Sequence, residues 1–158
     1  MDSFLRLHHG FSRFDQPLNA FGGALIALAI RCYVGWQFFK SGLVKLNDWG
    51  ATLALFRDEY QVPLLPPELA AGIGAGGELI FPILLVIGLF SRPAALGLFM
   101  VNLMAVVSYP QLFKFECPAA INDHFYWGAL LLVVVAFGPG RISLDWLANR
   151  SRSEAPPR

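Results

Sequence analysis

Charge is scarce in this chain. Asp, Glu, Lys and Arg make up only 15% of its 158 residues, where an ordinary soluble domain carries about 25%. Net charge is +1, with no basic run and no basic patch interleaved with aromatics. Nucleic acid is therefore excluded as a partner. Metal-ligating residues are as few: three histidines, three methionines and two cysteines. Haem or copper in a helical bundle needs several such ligands converging from facing helices. His8 and His9 are adjacent and share no helix face, so they read as surface residues. That leaves His124 alone beyond the N-terminal segment, and no metal site is expected. No Cys-x-x-Cys dithiol is present for thiol exchange. Cys32 lies within an apolar run and Cys117 in a loop, too far apart for a disulfide. The first residues make a poor signal peptide. Asp2 and Asp15 precede an apolar run that continues past any cleavage point into Arg31 and Lys40.

What is abundant is apolar length. The chain is 56% hydrophobic with a mean hydropathy of +0.53, the composition of an integral membrane protein of one domain. A hydrocarbon core about 30 Å thick needs roughly 20 helical residues to cross it. Four stretches qualify, at about 19–41, 68–90, 93–109 and 122–137. The expected fold is all-α, an antiparallel four-helix membrane bundle over residues 18–147. Residues 1–17 precede it as a surface segment, with Asp15 and Pro17 capping the first helix, and 148–158 follow as a flexible basic tail. Asp48 is a fair N-cap for a short amphipathic helix over Trp49–Tyr60 in the first outer loop. Trp49 and Tyr60 suit the headgroup layer. Arg57, Asp58 and Glu59 read as a solvated face.

Arg31 is the outlier. It falls near the middle of the first span, where an arginine costs about 2.5–3.5 kcal/mol on insertion scales and needs an internal partner. Arg31, Gly35, Phe39, Gly42 and Lys45 recur at steps of three and four, on one helix face. In the second span Gly74, Ala75, Glu78 and Pro82 also share a face. Small residues on such faces let helices approach closely. Glu78 sits next to Leu79, the midpoint of its run, so a buried Arg31–Glu78 pair at matched depth is expected. Asn102, central in the third span, reads first as a hydrogen bond across helices and second as a site residue. Asn122, Asp123 and His124 stand at the mouth of the fourth span, as a helix cap or as part of a pocket above the pair. Seven arginines lie on the side of the termini and the second turn, against four Lys and Arg on the other side. That bias puts both termini in the cytoplasm and Lys45, Asp123 and His124 near the outer surface.

Four short motifs occur in order: Arg31-x3-Gly35-x2-Phe38-x2-Ser41-Gly42-x2-Lys45-Leu46, Gly76-Gly77-Glu78-Leu79, Gly88-Leu89-Phe90-Ser91-Arg92 and Gly138-Pro139-Gly140-Arg141-Ile142-Ser143-Leu144-Asp145. In this order and spacing, over about residues 20–147, the chain resembles the DoxX family. The resemblance implies a four-helix protein of the bacterial inner membrane. It also implies association with quinol oxidation, with thiosulfate oxidation that feeds quinone, or with oxidative-stress and thiol-redox complexes. The function expected from it is an accessory subunit of a quinone-linked redox or stress complex, embedded in lipid beside a protein partner. Whether copies also associate with one another stays open. No cofactor is expected on this chain itself, with quinone as the ligand to consider. Candidate pocket residues are Arg31, Glu78, His124, Asn102, Lys45 and Asp123. A non-enzymatic membrane scaffold and a small-solute transporter are the alternatives.

Overall fold

The computed structural model describes residues 18–114 and 119–153. Among these, every regular element is helical. Helix α1 (Gly23–Asn47) is entered through a π-turn, Leu18–Gly22, and is followed by α2 (Trp49–Asp58), α3 (Pro67–Ile87) and α4 (Ser91–Ser108). A 3-10 turn, Pro110–Phe113, leads towards α5 (Ala119–Phe137), and α6 (Leu144–Ser153) closes the series. Four helices, Ala20–Asn47, Pro67–Ile87, Ser91–Ser108 and Ala119–Phe137, are long and apolar enough to cross a membrane. The chain is a multi-pass helical membrane protein. The expectations for residues 1–17, including His8, His9 and the Asp15–Pro17 cap, and for Cys117 lie outside the described residues. Cys32 is a free, exposed thiol.

The long helices form a closed square. α1 packs on α3 and α5, and α4 packs on the same two neighbours. Val34 and Phe38 of α1, Leu85 of α3, Leu98 of α4 and Leu131 and Val134 of α5 meet in the middle, all buried. Many other large apolar side chains face outward, Trp36, Ile83 and Leu103 among them. In lipid such exposure carries no hydrophobic penalty, so close packing must hold the helices together. Glycines provide it between α1 and α3. A Cβ on Gly35 would stand 2.8 Å from Val86 Cγ2, and one on Gly42 would stand 2.8 Å from Leu79 Cγ. The small-residue face of the first span is therefore a true contact surface.

Helix ends follow local chemistry. Asp48 stops α1 and caps α2, accepting a 2.9 Å hydrogen bond from Ala51 N–H. Phe56 and Thr52 are the buried residues of α2, which lies against α3. Pro67 opens α3 at the position where a missing N–H costs nothing. Gly88 ends α3 in the left-handed conformation at φ 75°. Leu89 N–H bonds Leu84 O at 3.0 Å and Gly88 N–H bonds Leu85 O at 3.2 Å, the Schellman pattern of crossed terminal bonds. The turn between α3 and α4 is thus Gly88–Phe90. Ser91, Arg92 and Pro93 form the first turn of α4.

Two further boundaries differ from expectation. α5 begins at Ala119, so Asn122, Asp123 and His124 lie inside the helix and do not cap it. Residues 144–153 form α6, on ground assigned to the tail from residue 148 onward. Ser143 explains its start: Ser143 Oγ accepts from Trp146 N–H at 3.2 Å, as an N-cap side chain does.

Candidate functional site

Two polar clusters occupy opposite ends of the α1–α3 interface. The expected Arg31–Glu78 pair does not form. Arg31, with no exposed surface, donates from Nη1 to Leu85 O at 3.3 Å and to Val86 O at 3.2 Å. Its Nη2 donates to Ile142 O beyond α5. Two of these acceptors are carbonyls in the last turn of α3, where the helix macrodipole is negative. The Schellman bonds take the Leu84 and Leu85 carbonyls, and Arg31 supplies the donor that Val86 lacks. The guanidinium is therefore answered by backbone.

Asp145 completes this end. Its Oδ1 accepts from Phe90 N–H at 2.9 Å and its Oδ2 from Ser91 N–H at 2.8 Å. It caps the start of α4 from a distant part of the chain, a service Phe90 has no side chain to perform. Asp145 N–H in turn bonds Gly88 O at 2.8 Å. Partial burial alone would raise the Asp145 carboxyl, but the N–H bonds from Ser91 and Phe90 and the charge of Arg31 hold it below its ordinary value. Arg31, the Gly88–Arg92 motif and the Gly138–Asp145 motif thus converge on one knot. Gly88 lies at its centre: a Cβ there would stand 2.5 Å from Arg31 Nη1 and 2.5 Å from Ser143 Cβ.

The other end belongs to Lys45 and Glu78. Lys45 Nζ lies 2.6 Å from Glu78 Oε2 and 2.9 Å from Oε1, and it donates to Ser41 Oγ at 2.8 Å. Both side chains are largely buried, 13% and 9% exposed. The pair borders a pocket of about 100 Å³ lined also by Phe56, Tyr60, Met104 and Ser108. Ser108 Oγ is buried in the wall with no hydrogen-bond partner among the described residues. Tyr60 stacks between Phe56 at 4.7 Å and Tyr109 at 5.1 Å. Burial, reinforced by Glu78, pushes the Tyr60 phenol up to about 12. Tyr109 OH bonds Glu59 Oε2 at 3.0 Å. Arg57, expected within a solvated face, reaches Glu68 at 2.6 Å in an exposed pair, worth little by itself.

The remaining candidates form a third grouping. Asn102 Nδ2 donates to His124 O at 2.9 Å, and Asn102 Oδ1 lies 2.8 Å from His124 Nδ1. This double contact ties α4 to α5, the cross-helix role first expected of Asn102. With Asn102 Nδ2 donating the first bond, Asn102 Oδ1 is left as an acceptor, so His124 Nδ1 is the donor of the second. Trp127 packs edge-on against both His124, at 5.1 Å, and Phe38, at 5.5 Å. Asp123 is exposed. Of the six candidates, then, two bonded couples assemble, while Arg31 and Asp123 stand apart from them. Beyond these six, Asp145 caps α4, and Tyr60 and Ser108 line the pocket beside Lys45 and Glu78. Asp145 lay within a recognised motif, and its acidic side chain beside a glycine stop was the available signal.

The pairing of these motifs in space bears on kinship. The profile of the DoxX family matches residues 26–111. The chain is also 30% identical over 141 residues to an uncharacterized protein of Haemophilus influenzae, an alignment covering 86% of this chain and 91% of that one. No solved structure matches. With this profile matching more than half its length and four apolar helices in a closed square, the chain belongs to the DoxX family.

Proposed function

We propose that this protein is the membrane-embedded accessory subunit of a quinone-linked redox complex of the bacterial inner membrane, with both termini in the cytoplasm. The quinone head group is taken at the Lys45–Glu78 pocket. The observation that carries this reading is the 2.6 Å ion pair held inside the bundle, beside a buried hydroxyl, Ser108 Oγ, that has no partner among the described residues. Intramembrane ionisable residues mark ligand or proton sites by default. A carbonyl oxygen would satisfy Ser108, and the ring would lie among Phe56, Tyr60 and Met104. A quinone, when bound, supplies the two-electron, two-proton carrier. Lys45 offers an N–H, and Glu78 holds or releases a proton at a carboxylate oxygen. The aromatic wall keeps water out. Among the described residues no three His, Cys, Asp or Glu side chains converge to bind a metal, so on this reading electrons arrive from a partner subunit.

A titration of the purified protein in mild detergent with a short-chain ubiquinone analogue tests this. The thermal midpoint should rise, by about 2.7 kcal/mol of stabilisation at a hundredfold excess over Kd. Ser108→Ala and Glu78→Gln should blunt the rise. A wild-type midpoint that does not move overturns the proposal. One observation favours the scaffold alternative: Arg31 and Asp145 bind only backbone groups, joining helix α1, the α3–α4 turn and the α5–α6 connection. A Lys45→Met/Glu78→Leu double variant that still folds and still recovers its partner would support that alternative.

A further inference from the structure

Where α5 ends, two recesses meet. One is a groove of about 740 Å³ between α1 and α5, walled by Ala24, Ala27 and Ile30 against Val133 and Phe137. The other, about 600 Å³, holds Arg92, Asp145, Trp146 and Asn149. They share Phe137, Gly138, Gly140 and Arg141, so Arg141 stands at the junction. We propose that this double recess is a binding site for one anionic phospholipid, its phosphate between Arg141 and Arg92 and an acyl chain in the α1–α5 groove.

Charge and depth both argue for that occupant. Arg141 is exposed, and its guanidinium makes no hydrogen bond or ion pair with any described residue. Arg92 has a single weak contact, 3.5 Å to Ala136 O. The acid lining this recess, Asp145, has both oxygens occupied by the N–H groups of Phe90 and Ser91. Two guanidiniums therefore face the recess with donors to spare, and planar forks of this kind match phosphate oxygens. Arg92 belongs to the first turn of α4 and Arg141 follows the last turn of α5, so both sit at one membrane surface. α6 carries exposed Leu144 and Leu147 three residues apart, with Trp146 between them. That is the pattern of a short helix lying among headgroups. From this level the groove runs inward along α1. Gly140, at φ 79°, lets the loop cross α1 closely, since a Cβ there would stand 3.1 Å from Ala24 Cα. The groove beside that crossing has the size of a ligand pocket, and in a bilayer hydrocarbon is the material at hand to fill it.

Native mass spectrometry of the delipidated full chain tests the site, with phosphatidylglycerol and phosphatidylcholine compared at equal concentration. One phosphatidylglycerol should bind and be retained, with phosphatidylcholine retained far less. Arg92→Gln/Arg141→Gln should weaken phosphatidylglycerol about thirtyfold, the effect expected of two phosphate-facing arginines. Lys40→Gln/Arg57→Gln, which removes the same charge at exposed positions elsewhere, should leave it unchanged. Ala27→Phe, which fills the groove and keeps both arginines, should also reduce retention. Equal retention of the two lipids, equal loss in both double variants, or displacement of the lipid by inorganic phosphate alone would each overturn the proposal.

Discussion

Replacing Gly88 with alanine should damage this protein more than any other single methyl group. Gly88 sits at φ 75°, and a side chain in that left-handed region costs about 1–2 kcal/mol. The new Cβ would also stand 2.5 Å from Arg31 Nη1, 2.5 Å from Ser143 Cβ and 2.8 Å from Ser143 Cα. An arginine tip can usually swing away, but this one is wholly buried and held by three carbonyls. Overpacking of such a site costs about 1–3 kcal/mol. Losing one hydrogen bond to a charged group adds about 1.5–3 kcal/mol. Even the low ends together reach about 3.5 kcal/mol, a large share of the ~5–15 kcal/mol that holds a typical domain folded. Gly76, in the same helix α3, is the control. A Cβ there meets nothing within 4 Å, so alanine should be neutral or stabilise by about 0.5–1 kcal/mol through reduced backbone entropy. Unfolding in mild detergent, followed by helical circular dichroism and by the fluorescence of the four tryptophans, separates the two variants. If Gly88→Ala melts with the wild type, or Gly76→Ala loses as much, the account of the knot is wrong.

Charge exchange distinguishes the observed partners from the expected ones. Lys45→Glu and Glu78→Lys should each cost about 3–5 kcal/mol, as breaking a buried pair does, and the double exchange should recover most of that loss. Arg31→Glu with Glu78→Arg should recover nothing; rescue there in denaturation experiments would contradict the structure. The Tyr60 phenol, raised from 10.0 to about 12, keeps its proton more tightly when folded than when unfolded. Its contribution to stability is therefore whole below pH 10 and lost as pH climbs through 12. A near-ultraviolet titration should show Tyr60 ionising late, near pH 12, a step lost in Tyr60→Phe, with Tyr109 also raised by its hydrogen bond to Glu59; a full set of tyrosines ionising together near pH 10 would refute this.

Much of the architecture was legible because it is local. Apolar length locates a membrane helix without reference to its neighbours, and Asp48 caps the very helix its position announces. The glycine and alanine faces of α1 and α3 could be read from their spacing, as could the placing of Lys45 on the stripe of Arg31. Depth could not. Centring each apolar run on the bilayer set Arg31 opposite Glu78, yet α1 continues through Asn47, well beyond Ser41. Gly42 packs at Leu79 and Glu78, while Arg31 meets the helix end near Gly88. Ten residues of α3 separate those points, about 15 Å at helical rise.

The amino-acid sequence by itself determined that this is a helical membrane protein with a charge its first span had to satisfy. Only the tertiary structure decided what satisfies it. Arg31 is met by main-chain carbonyls, and Asp145 by main-chain N–H groups, and every residue but proline offers both. Such partners carry no signature in side-chain identity. They exist as a site only once a left-handed glycine ends one helix, and a loop from the far side of the bundle closes over it.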